Sequence, residues 1–175
     1  TRGAHWTRER FRKAVKRLLI VVDYQNDFVD GALGFEGAEL LDKPIAEKIS
    51  EYRAAGDVVA FPYDTHHRDY MQTQEGRNLP IPHCIEGTEG HKLYGETALM
   101  ARDIDEVYYK PTFGSSELFA RLSKAQAIAA SLGREPFESI ELVGLVSNMC
   151  VLSNAVIARS ACPNVQIIVD AACTA

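Results

Sequence analysis

Apolar residues in this chain gather into short runs of strand length. Leu18–Val22 leads into Asp23, and Val58–Phe61 leads through Pro62 and Tyr63 into Asp64, Thr65 and His66. Val107–Tyr109 leads into Lys110, Ile140–Val146 leads four residues on to Cys150, and a last run ends on Asp170. The runs are rich in β-branched and aromatic residues, which suits buried strands, and they are too short for helices. They predict strands over 18–23, 57–63, 105–110, 139–145 and 165–169. Between them the spacing turns helical. A helix is predicted over 39–55, stopped by Gly56. A second starts at the cap candidates Ser115 and Ser116, places Leu118, Phe119, Leu122, Ala125 and Ala129 on one face, and is ended by Gly133. A third covers 150–160 with Val151, Ala155 and Ala158 facing inward.

Strands that alternate with helices and are apolar throughout belong in a parallel sheet covered on both faces. The predicted fold is therefore a three-layer α/β/α domain with a central parallel sheet of about five to six strands. Ligands on such sheets bind outside the carboxyl ends of the strands. An acid, an Asp-x-His pair, an ammonium and a thiol would then converge on one edge. The segment 64–95 has several Gly and Pro and no sustained period, and a long loop of this kind inside a domain is usually functional. A doubly wound domain would add a helix after its last strand, and no such helix is readable after Asp170.

Composition adds few constraints. At 175 residues, with 46% hydrophobic and 25% charged residues, the chain fits one globular domain. The net charge of -5 argues against broad nucleic-acid binding, and no apolar run is long enough to cross a bilayer. Cys84, Cys150, Cys162 and Cys173 form no C-x-x-C pair, so reduced thiols in a cytoplasmic enzyme are expected. Residues 1–17 differ: Arg2, Arg8, Arg10, Arg12, Lys13, Lys16 and Arg17 oppose only Glu9. Trp6, Phe11, Ala14, Val15 and Leu18 could share a helical face, so 1–17 reads as a basic extension ahead of a domain over 18–175.

The chemistry sits at the strand ends. A thiol at Cys150, where strand turns into helix, would feel the helix dipole, which favours thiolate, and free amides there could hold an oxyanion. Buried cysteines are also often plain small hydrophobes. Asp23 could take and return a proton, with Asp27 and Asp30 as nearby alternatives. Lys110 would lower the thiol pKa and stabilise developing negative charge. Asp64, His66, Glu75 and His83 are suitable ligands for zinc, iron or manganese, although His67 and Asp69 are equally polar.

Assembled, these positions resemble the isochorismatase-like cysteine hydrolases, and among them the nicotinamidases. The resemblance rests on Val21–Phe28, Asp64–His66, Pro82–Gly90, Lys110 ahead of Pro111-Thr112-Phe113, and Gly144–Val151, in that order. It implies a triad of Asp23, Lys110 and Cys150, with an oxyanion hole at the Val146 and Cys150 amides. A non-prolyl cis peptide is expected at Val146–Ser147. It further implies a divalent metal, zinc first and iron or manganese next, on Asp64, His66 and His83, with Glu75 the candidate for a variable fourth place. Phe28 and Phe113 would form a ring pocket with Gln25 at its base, and Met149 stands where some nicotinamidases carry a polar side chain. The implied reaction is nicotinamide to nicotinate plus ammonia through a thioester, an activity of pyridine nucleotide salvage. Family members are often oligomeric, so a homo-oligomer is one expectation. Hydrolysis of another amide, ureide or carbamoyl compound is the first alternative, and a non-catalytic metal or thiol sensor the second.

Overall fold

The computed structural model describes residues 16–175. The strands are β1 Lys16–Val22, β2 Val58–Asp64, β3 Glu106–Lys110, β4 Phe137–Gly144 and β5 Gln166–Thr174. The helices are α1 Asn26–Val29, α2 Asp42–Ala54, α3 Gln74–Asn78, α4 Gly95–Met100, α5 Ser116–Ala130 and α6 Leu152–Ala161. The sheet order is β3-β2-β1-β4-β5, and every pairing is parallel. The predicted three-layer α/β/α fold is the one observed.

The alternation of side chains along β1 builds both interior layers. Leu18, Ile20 and Val22 pack with Leu118, Leu122, Val151 and Ala158 of the α5–α6 side. Leu19 and Val21 pack with Ile45, Ile49 and Tyr52 of α2 on the other side. Both faces of β1 are covered, which explains an unbroken apolar run rather than an alternating one. Ser115 caps α5 as expected, its hydroxyl accepting the Leu118 N–H at 3.0 Å.

The chain leaves β1 toward β2 and β3, then returns to place β4 on the other side of β1. The winding direction reverses between β1 and β4, and that is where an open α/β sheet forms its crevice. Asp23 follows β1 and Cys150 follows β4, so both stand at this point. The approach is close: a Cβ built on Gly144 (φ 108°) would lie 2.0 Å from the Val22 carbonyl oxygen. Only glycine lets the two strand ends meet so closely.

Several sequence expectations shift. Of the proposed basic extension, residues 1–15 lie outside the described residues. Lys16 and Arg17 belong to β1, because Asp57 takes both the Arg17 backbone N–H at 2.9 Å and its Nε at 2.8 Å. The predicted helix at 150–160 begins with a π turn over Ser147–Val151, and the α-helix starts only at Leu152. β5 runs through Asp170 to Thr174, past a register irregularity opposite Leu142–Gly144. Asp170 is held there by Lys48 at 2.7 Å and accepts the Ala172 N–H at 2.9 Å, so it lies within the strand. The cis peptide is at Leu145–Val146, one bond earlier than expected. Strand pairing still holds the Leu145 N–H on Val22, while the Ser147 N–H already turns to Ala175, so the break in direction falls between them.

Candidate active site

Asp23, Lys110 and Cys150 meet at the carboxyl edge of the sheet, all buried. Lys110 Nζ lies 2.6 Å from Asp23 Oδ2, 3.7 Å from Cys150 Sγ and 3.2 Å from Asp64 Oδ1, and donates to the Thr112 carbonyl at 3.1 Å. A lysine this deeply buried is expected only where carboxylates and carbonyls replace water around it. Its pKa is accordingly raised: burial lowers it, but Asp23 and Asp64 more than compensate. Asp23 sits in the left-handed region at φ 47°, an uncommon conformation for a non-glycine residue that turns its carboxylate into the cluster.

The electrostatics correct one expectation. Lys110 does pull the Cys150 thiol toward ionisation, but burial and the Asp23 carboxylate win, and the thiol pKa is raised. Burial and Asp23 thus favour the thiol over the thiolate. Burial pushes Asp23 up to about 7, against the pull of Lys110 and with help from Asp64. Asp23 is therefore poised to exchange a proton near neutrality. The Val146 N–H has no acceptor among the described residues and stands at the turn before Cys150.

Asp27, an alternative base in the sequence, is occupied elsewhere. Its carboxylate accepts the Cys84 N–H at 2.7 Å and the Ala32 N–H at 3.2 Å. It thereby holds the turn after His83, where Cys84 adopts φ 46°. Asp30 is exposed.

Beside the cluster, Asp64, His66 and His83 bring one ligand atom each within 4.8 Å of one another. His66 Nε2 and His83 Nε2 lie 3.0 and 3.2 Å from Asp64 Oδ2. Glu75 Oε1 is 3.6 Å from His66 Nε2 and 3.8 Å from His83 Nε2, just outside this tight group. The donor set fits a divalent metal. His66 Nε2 is buried with no regular hydrogen bond, and His83 Nδ1 is 2.8 Å from the Ile81 carbonyl, which leaves Nε2 free for a ligand bond. Burial pushes Asp64 up, but His66, His83 and Lys110 overcome it and hold the carboxyl well below the usual range. Tyr70 packs its ring against both histidines, with centroids at 4.6 and 5.1 Å, a wall that the sequence did not signal.

The four residues expected to hold substrate differ in their surroundings. Phe28 is buried with its ring 5.5 Å from that of His83, while Phe113 and Met149 are 38% and 40% exposed. The Gln25 amide is already fully used: Nε2 donates to the Asp64 and His91 carbonyls at 2.9 and 2.8 Å, and Oε1 accepts the Asp64 N–H at 2.8 Å. Gln25 braces the strand end that carries Asp64. Asn154 was not anticipated, although it lies one helical turn beyond Cys150; its buried amide bonds the Cys150 carbonyl at 2.8 Å.

The isochorismatase domain model matches residues 17–175. An isochorismatase family protein of Bacillus subtilis (strain 168) is 31% identical over 153 residues, covering 81% of this chain and 78% of its own length. The nicotinamidase/pyrazinamidase of Mycobacterium tuberculosis is 28% identical over 145 residues, covering 79% and 76%. The crystal structure of a nicotinamidase/pyrazinamidase from Bacillus subtilis superposes with a TM-score of 0.76 at 29% identity, covering 91% of this chain and 86% of that one.

Proposed function

This chain belongs to the isochorismatase family, and on that premise we propose that it is a cysteine amidohydrolase that converts nicotinamide to nicotinate and ammonia. The observation that carries the reading is the Asp23–Lys110–Cys150 cluster joined through Lys110 to Asp64 of the metal-ligand group. In this reading the catalytic domain takes in Lys16 and Arg17 of β1 and runs over residues 16–175.

Asp23 takes the Cys150 proton as the sulfur attacks the amide carbonyl, forming a C–S bond. Lys110 stabilises the negative charge that develops on the sulfur as the proton leaves. The Val146 and Cys150 amides receive the oxyanion. When the tetrahedral intermediate collapses, the C–N bond breaks and Asp23 returns the proton to the departing ammonia. Asp23 then takes a proton from water as the water oxygen attacks the thioester carbonyl; the C–S bond breaks, the acid leaves and Asp23 returns the proton to the sulfur. Phe28 and Phe113 flank the ring, and Met149 borders the mouth. Asp64, His66 and His83, with Glu75 near the fourth place, would hold a divalent ion such as zinc, which when bound supplies a Lewis acid for the pyridine nitrogen.

Replacing Cys150 by Ala tests the nucleophile. Loss of a hydrolase nucleophile removes on the order of a millionfold of the rate, so Cys150→Ala should release no measurable ammonia. Turnover within about tenfold of the parent would reject Cys150 as the nucleophile, because no general electrostatic contribution retains that much.

A further inference from the structure

Asn154 lies on α6 with no exposure, and every polar atom of its side chain is used. Nδ2 donates to the Cys150 carbonyl at 2.8 Å and to the Phe113 carbonyl at 3.0 Å. Oδ1 accepts the Ser115 N–H at 3.1 Å. Asparagine is a mediocre helix former, so a buried one inside a helix needs such partners to offset its cost. One amide thus ties the turn of Cys150 to the loop between β3 and α5. The same loop is held at its start by Lys110 Nζ on the Thr112 carbonyl, at 3.1 Å. It also lies flush on α6: a Cβ on Gly114 would be 2.7 Å from Ile157 Cδ1. Asn154 is bonded both to this loop and to the Cys150 carbonyl, so it links the position of the one to the other.

We infer that Asn154 is a positioning residue that fixes the Phe113 loop relative to Cys150 and thereby gives the site its preference for ring-bearing amides. The inference rests on the proposed roles of Cys150 and Phe113. It goes beyond them in naming the group that registers the ring wall to the nucleophile. Fixing a wall in this way matters because misplacement by about 1 Å can cost on the order of a hundredfold.

The test needs no turnover. Alkylation of Cys150 is followed by peptide mass with chloroacetamide and with its N-benzyl derivative, and the ratio of rates measures the ring wall. The variants are Asn154→Ser, Phe113→Ala and the double variant, each confirmed folded by circular dichroism. A helical serine can bond the carbonyl four residues back, so Asn154→Ser keeps the bond to Cys150 and releases the loop. The ring preference should fall about tenfold in Asn154→Ser while the chloroacetamide rate stays within about threefold, the scale of a misplaced wall rather than a lost nucleophile. Phe113→Ala should show the same fall, and the double variant no more than either, because the two act as one unit. An unchanged preference in Asn154→Ser, additive losses in the double variant, or a parent protein without ring preference would each overturn the inference. Parent protein that shows the predicted pattern but no nicotinamide hydrolysis would overturn the proposed substrate and leave the clamp standing.

Discussion

Lys110 touches Asp23, Asp64, Cys150 and the Thr112 carbonyl with a single ammonium. Its position makes the acid limb of the pH profile predictable. Asp23 must be ionised to take the thiol proton, and burial sets its pKa at about 7. Activity should therefore rise with pH through about 7 and fall about tenfold per unit below it. Lys110 lowers the Asp23 pKa, so Lys110→Met leaves burial and Asp64 unopposed. The residual acid limb should move up, by roughly 1–3 units for loss of an adjacent opposite charge. A limb that stays in place, or moves down, in a kcat/KM profile would show that Asp23 is not the group titrating. Asp27 makes a separate prediction. Asp27→Ala removes the acceptor for the Cys84 N–H beside His83. Zinc affinity, measured by chelator competition, should drop about tenfold, as for other outer groups that orient ligands. Equal affinity would show that the His83 turn stands without it. The reactive side chains themselves were readable, because each follows an apolar run. Their protonation was not: the thiol was expected to be shifted toward thiolate, and only its burial beside Asp23 reverses the sign.

At the scale of elements, the unit that matters is β4, the π turn and α6. β4 brings Gly144 against Val22, the π turn carries Cys150, and α6 carries Asn154. Gly144→Ala places a methyl against the Val22 carbonyl and forces a side chain to φ 108°. Unfolding in urea should show a loss of more than about 2 kcal/mol, since strain and overlap add at one position. A loss below about 0.5 kcal/mol, the range of neutral surface changes, would show that β1 and β4 can separate. The sequence located the strands and long helices because their apolar spacing is set by which faces are buried. It missed α3, a five-residue helix inside the loop 64–95 that has no sustained period, and α4, a six-residue helix that opens on Gly95 at the end of that loop. It also missed the π turn, since Ser147-Asn148-Met149-Cys150 reads as an irregular turn ahead of a helix from 150.

For the molecule as a whole, strand order decides what can meet. Apolar runs predict that strands exist and are parallel, yet β3-β2-β1-β4-β5 follows from long-range pairing that no local pattern encodes. That order puts the ends of β1 and β4 side by side and the ends of β2 and β3 next along the edge. A thiol, two carboxylates and an ammonium therefore share one crevice. Among the described residues no helix is long and apolar enough to cross a membrane. The measurement that tests the account most directly is ammonia release from nicotinamide by the purified protein, before chelation, after chelation and after zinc add-back, with folding followed by circular dichroism. The parent protein should release ammonia, lose that activity on chelation without unfolding, and regain it with zinc. No release from folded protein whose Cys150 still alkylates, or release indifferent to chelation, would contradict this expectation.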